Sequence, residues 1–203
     1  MKTIIYPVIF LILMIFNSGI QAQEISPKLD EALNAYKVGN LDDARFALEQ
    51  ALVEIDITIG KIILEKLPKE LNNMPYQPDK DDVTGTSSNF AGLFVNRFYG
   101  DTIKSAEIQI ISDSPLLGGI NAILAMPAIL TGSDPNQKRI KVGGYKGLMQ
   151  RNEDTTGGTV SYDIQIPFEK SLLTFSCRGI DNENEIIRMV NLVPVSEIVK
   201  IAR

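Results

Sequence analysis

Histidine and tryptophan are absent from this 203-residue chain, and cysteine occurs once. Without histidine there is no imidazole base, no imidazole metal ligand and no side chain that titrates near neutrality unless its environment shifts it. A single cysteine, Cys177, excludes an intramolecular disulfide. No G-x-S-x-G elbow and no P-loop occurs, so neither that hydrolase chemistry nor a Walker-type phosphate cradle is signalled. The pairs Gly143-Gly144 and Gly157-Gly158 read as turns. Positive charge is also in short supply, with 20 basic against 25 acidic residues and a net charge of −5. No basic run stands out, so a nucleic-acid partner lacks electrostatic support and an anionic membrane surface is disfavoured.

What is present begins with a secretory pattern. Lys2 precedes an apolar run over residues 4–16, and the small and polar stretch 17–22, NSGIQA, follows. Residues 1–22 are expected to be a signal peptide cut after Ala22, with Ile20 bulkier than usual near the cut. The apolar run is about 13 residues, short of the roughly 20 that a spanning helix needs. The sequence thus predicts an exported chain, periplasmic or secreted, with no stable membrane insertion after cleavage. Lacking disulfides, it must rely on an apolar core. A chain of this size can build one, burying around 70% of its unfolded surface.

Residues 23–67 read as a helical hairpin. Ser26 can cap the first helix with Pro27 at its first position. Leu29, Ala32, Leu33 and Tyr36 follow helical spacing, and Gly39 stops the helix. Leu41, Ala44, Leu48, Ala51, Leu52 and Ile55 form the expected facing stripe of the second helix, which runs on through Ile62, Ile63 and Leu64. The run AYKVGNLDDARFALEQALVEI resembles a tetratricopeptide unit, with its Gly39-Asn40-Leu41 turn and small residues at Ala44 and Ala51. Lys28 stands where that family favours a large aromatic, no proline closes the unit, and only one copy is present. The resemblance therefore implies a lone hairpin that docks on its own domain or on a partner, since solenoids need about three repeats.

Residues 68–88 are expected to be a linker. Pro68, Pro75 and Pro78 break helices, and the Asp79, Asp81, Asp82 cluster reads as solvated, because it lacks the spaced ligands of a calcium loop. Residues 89–203 then alternate as strands do. Phe90 to Tyr99 and Ala106 to Ile110 form one predicted hairpin. Arg139 to Val142 and Tyr145 to Gln150 form another, and Val160 to Ile166 alternates most clearly. Pro167 to Lys170 is a turn, and Leu173, Phe175 and Cys177 line one face of the last strand. A helix capped by Asp181 or Asn182 follows, then a short amphipathic tail over residues 195–201. The predicted class is α+β: an N-terminal helical hairpin followed by an antiparallel sheet of about six strands packed against two helices.

The first of those two helices is residues 114–130, SPLLGGINAILAMPAIL, which carries no charge. It is expected to be the central core helix. Leu116, Leu117, Ile120, Ile123 and Leu124 would face the sheet, and Gly118, Ala122 and Ala125 would receive another helix. Those five bulky residues are also a possible ligand wall, if a small apolar ligand lies between sheet and helix. Ser114 is read as a helix cap and Cys177 as an inert core thiol. The carboxylates Asp181, Glu183 and Glu185 are read as a helix start, and the aromatics Phe90, Phe94, Phe98, Tyr99, Tyr145 and Tyr162 as core.

The segments LPKELNNMP, ISDSPLLGGINAIL, KRIKVGGYKG and SLLTFSCRGI resemble a group of exported bacterial proteins of unknown function. The strand order is similar to small sheet-and-helix domains of the PsbP-like kind. That resemblance implies an adaptor or assembly role and supplies no functional residues. No catalytic residue, metal ligand or cofactor is expected. The sequence favours a non-enzymatic envelope protein that binds a protein partner in the cell envelope. The alternative is a carrier of a small apolar ligand.

Overall fold

A computed structural model of the chain describes residues 25–85, 92–127, 134–153 and 158–202. The expected signal peptide, Phe90, Gly157, residues 86–88 of the expected linker and residues 128–130 of the apolar run lie outside the described residues. Two helices come first, α1 (Ile25–Lys37) and α2 (Leu41–Lys66), and they form the expected hairpin. Ser26 and Pro27 fall in the first turn of α1 rather than ahead of it. Gly39 ends the turn with φ of 80°, a conformation open to glycine at little cost. Asn40 caps α2 by accepting from the Asp43 amide at 3.3 Å.

The 68–88 segment is not a solvated linker over its described part. It holds two short paired strands, β1 (Glu70–Leu71) and β2 (Met74–Pro75), a single 3-10 turn at Pro78–Lys80, and β3 (Asp82–Thr84). After it come β4 (Phe94–Gly100), β5 (Ser105–Ser112), α3 (Leu117–Ala125), β6 (Gln137–Val142), β7 (Tyr145–Glu153), β8 (Val160–Phe168) and β9 (Ser171–Arg178). Two helices close the chain, α4 (Glu183–Val190) and α5 (Val195–Ile201). Asn182 caps α4 through the Glu185 amide, and the expected tail is helical. Pro167 stands inside β8, so the turn between β8 and β9 falls at Glu169 and Lys170.

Among the described residues, seven strands make one antiparallel sheet in the order β3-β4-β5-β9-β8-β7-β6. Two meanders meet at the β5–β9 seam. The register sets Arg97, Ile108, Phe175, Ile164 and Met149 side by side across one face. Because side chains alternate, this face also carries Val95, Tyr99, Ile110, Leu173, Tyr162 and Ile166, all buried. Helices α2, α4 and α5 cover it with Ile63, Ile186, Met189, Val190, Ile198 and Val199. The fold class is therefore α+β, with the helical hairpin leading into an antiparallel sheet flanked by helices.

The central helix is α2, not the uncharged 114–130 segment. Gly60 lets α2 approach the sheet closely, for a Cβ there would run into Val83 and Leu93. By contrast α3 is nine residues long and lies on the other face, over β7 and β8, with only Ile120 buried. Gly118 and Gly119 have no heavy atom near the place a Cβ would occupy, and Ala122 and Ala125 are exposed. Among the described residues the small-residue stripe thus receives no helix. An uncharged run reads as core on composition, but a helix of nine residues lying on the sheet buries one side chain fully and leaves its other side to solvent.

A buried cation fixes α2 to the sheet. Arg97 points inward in phase with Val95 and Tyr99. Its Nε donates to Asp81 Oδ1 at 2.9 Å, and its Nη1 donates to the carbonyls of Leu64 at 2.8 Å and Leu67 at 3.3 Å. Those carbonyls end α2, where positive charge suits the dipole. The guanidinium also lies 4.4 Å from the Tyr76 ring centroid. Burial works to lower the Arg97 pKa, but the hydrogen bond and charge of Asp81 outweigh it and raise it. The Tyr99 hydroxyl adds a bond to the Pro68 carbonyl at 2.8 Å. Asp81→Asn would leave the guanidinium buried without its counter-charge. It should cost about 3–5 kcal/mol, read as a lower urea midpoint, while Arg97→Met combined with Asp81→Leu should lose less than either single change.

Candidate functional site

Among the described residues, most of the exposed large apolar side chains lie on the helical hairpin. Its two helices meet through small side chains, Ala32 of α1 and Ala44, Ala47 and Ala51 of α2, all buried. Alanine at the contact lets the backbones approach, and the leucines stand outside it. Leu29, Leu33 and Tyr36 on α1 and Leu41, Leu48, Leu52 and Ile55 on α2 are between 39% and 66% exposed. This corrects the expectation that the α2 leucines make the facing stripe.

At 100° per residue both exposed stripes are rotated the same way from the alanine contact. In antiparallel helices that sets them on one side of the hairpin, as parallel rows. Charges flank the rows, with Lys28 to Glu31 at 3.0 Å and Arg45 to Glu49 at 2.9 Å as exposed pairs. Between Ile25 and Lys66 there are eight acidic and five basic residues.

Of the five residues of the expected ligand wall, four form the less exposed, sheet-facing side of α3 and Leu116 stands outside it. Ile120 is buried, Leu117, Ile123 and Leu124 are half-buried, and Leu116 is exposed. Leu124 borders two clefts open to solvent, of about 260 and 410 Å³, together with residues of the β6–β7 hairpin.

The polar candidates are distributed as follows. Asp181 meets Arg151 at 3.3 Å, Glu183 meets Lys138 at 2.5 Å, and Glu185 pairs with Asn72. These three carboxylates therefore serve three different partners. No group of three histidine, cysteine, aspartate or glutamate side chains arranged to hold a metal occurs among the described residues. Ser114 is buried and its hydroxyl accepts from the Leu116 amide at 3.4 Å, one turn ahead of α3. Tyr99 and Tyr162 belong to the core, Tyr145 is half-buried, and Phe94 and Phe98 lie half-buried on the opposite sheet face, with Lys80 4.3 Å from the Phe98 ring centroid. Among the described residues no helix is long and apolar enough to cross a membrane.

Comparisons with protein-family models, with curated proteins and with solved structures returned no match to this chain.

Cys177 sits on the core face, 3% exposed. Burial, and after it the charge of Glu185, push the thiol up to about 12. A free thiol ionises near 8.5. Below that pH the thiol is neutral in both states and its contribution to stability is complete. Above it the unfolded chain gains a thiolate that the native chain does not, so stability falls as pH rises toward 12. Native protein at pH 8 should leave Cys177 unmodified by Ellman's reagent until it is unfolded. The urea midpoint should decline between about pH 9 and 11, and less steeply in Cys177→Ala.

Proposed function

We propose that the protein is an exported, non-enzymatic interaction module whose tetratricopeptide-like hairpin receives a helix of a partner protein in the cell envelope. One observation carries this reading. Two rows of large apolar side chains, Leu29, Leu33 and Tyr36 beside Leu48, Leu52 and Ile55, remain exposed on one side of a hairpin that is otherwise packed through alanine. Soluble chains seldom leave contiguous apolar surface of this kind uncovered unless something binds it. Parallel rows on adjacent helices are a groove for the apolar face of a third helix, anchored at i, i+3, i+4 and i+7. The acidic excess of the hairpin favours a partner helix with basic flanks. Export is supported by the N-terminal pattern of Lys2, an apolar run and NSGIQA.

The hairpin can serve this role without unfolding the domain. The second half of α2 is held by Gly60, Ile63 and the Arg97 bonds to Leu64 and Leu67, whereas the exposed rows lie on α1 and the first half of α2. Substitution of the rows therefore leaves the sheet-bound half in place. A photoreactive phenylalanine at position 33 or 52 should yield one defined adduct with a second protein in intact cells, and the same probe at exposed Asp79 should not. Leu33→Glu or Leu52→Glu should keep the far-ultraviolet spectrum and weaken the captured complex by more than about tenfold. Adducts confined to the chain's own residues 1–22, or of twice the chain's mass, would overturn the reading.

A further inference from the structure

We propose that the corner formed by α3 and the β6–β7 hairpin docks on an anionic lipid surface. The chain is acidic overall, but its charge is unevenly placed. Between residues 114 and 152 there are five basic residues, Lys138, Arg139, Lys141, Lys146 and Arg151, against the single acid Asp134. The fold then sorts these cations by face. Lys138 points to the core side of the sheet edge and pairs with Glu183 at 2.5 Å, and Arg151 meets Glu153 and Asp181.

Arg139, Lys141 and Lys146 project from the opposite face, the one α3 occupies. Lys141 and Lys146 stand directly across from each other in the β6–β7 register. Like charges so placed repel and destabilise the pair. Neither lysine has a carboxylate partner among the described residues. Arg139 donates from Nη2 to the Ile123 carbonyl at 2.7 Å, which pins α3 beside the lysines and leaves its other donors outward.

The helix completes the surface. It carries no charged residue, and Leu116 and Met126 at its ends are 54% and 44% exposed. Gly118, Gly119, Ala122 and Ala125 between them are exposed and small, so they present a smooth, uncharged surface. An uncharged apolar helix lying beside unpaired cations is the pairing that binds an interface: apolar groups enter the headgroup boundary while lysines meet phosphates. The two clefts bordered by Leu124 and Lys146, one of them also by Arg139 and Lys141, give a phosphate a place next to the cations and beside the helix. An acidic protein would match the lysines alone and leave the exposed Leu116 and Met126 unexplained.

This surface lies on the sheet face opposite α2, so its test does not depend on the hairpin reading. The full chain is mixed with phosphatidylglycerol vesicles and, separately, with phosphatidylcholine vesicles, and sedimented at low and at physiological salt. The N-terminal apolar run is common to every variant and cancels in the comparison. Retention should be strong on phosphatidylglycerol, weak on phosphatidylcholine, and reduced by salt. Lys141→Gln with Lys146→Gln should lower the phosphatidylglycerol affinity by roughly thirtyfold with the thermal midpoint unchanged. Leu116→Ser with Met126→Ser should lower it at unchanged salt dependence. Equal retention on both vesicles, an unchanged lysine variant, or binding to polyglutamate without binding to phosphatidylglycerol would overturn the proposal.

Discussion

The guanidinium of Arg97 ties together three stretches of chain that are far apart in sequence. It belongs to β4, closes the last carbonyls of α2 and neutralises Asp81 in the segment that leads to β3. A buried ion pair of this kind is a weak source of net stability, because desolvation offsets most of the attraction. Its consequence is geometric. Hydrocarbon at position 97 could pack in several ways, whereas a fork that must meet two carbonyls and one carboxylate fixes where α2 ends on the sheet. The direction in which the hairpin projects follows from that.

The sheet then acts as a partition. Its core face is closed by α2, α4 and α5. Its other face carries α3 over β7 and β8 and keeps Asn96, Glu107, Gln109, Thr174 and Asp163 half-exposed. Alternation along every strand makes this division automatic. The leucine rows of the hairpin and the cationic corner at α3 are thereby held by opposite faces of one sheet. The second half of α2, packed on β3, β4 and α5, anchors the first half.

Much of this order was legible in the sequence. Strand alternation gave β5, β6, β7, β8 and β9 to within a few residues, because a half-buried strand must alternate. Gly39 and Asn182 marked helix limits through local backbone chemistry alone. What could not be read depended on tertiary context. The strand β3 is three residues among turn formers, and pairing with β4 makes it a strand. Arg97 and Asp81 carry charges that composition sends to solvent, and only the phase of Arg97 with Val95 and Tyr99 hinted otherwise. The leucines of α2 and the uncharged α3 segment misled in the same way, since both are apolar and both are left partly outside. Hydropathy reports what would prefer to be covered and is silent on whether this chain supplies the cover. For the hairpin rows, therefore, the sequence named the residues and the structure supplied their exposure. Arg139, Lys141 and Lys146 were visible but did not stand out until the β6–β7 pairing placed them on one face.

The ends of the seven-stranded sheet carry a further meaning. An open sheet exposes unpaired amide and carbonyl groups along its two outer strands, and another chain can extend the ladder there unless something prevents it. Here one outer strand, β3, spans three residues, and the other, β6, bears Lys138, Arg139 and Lys141 within six. A short edge offers few ladder bonds, and a lysine-rich edge repels a copy of itself. Edge-to-edge growth into fibres or strand-swapped oligomers is disfavoured at both margins. The margins of this sheet thus offer little backbone for another chain to pair with.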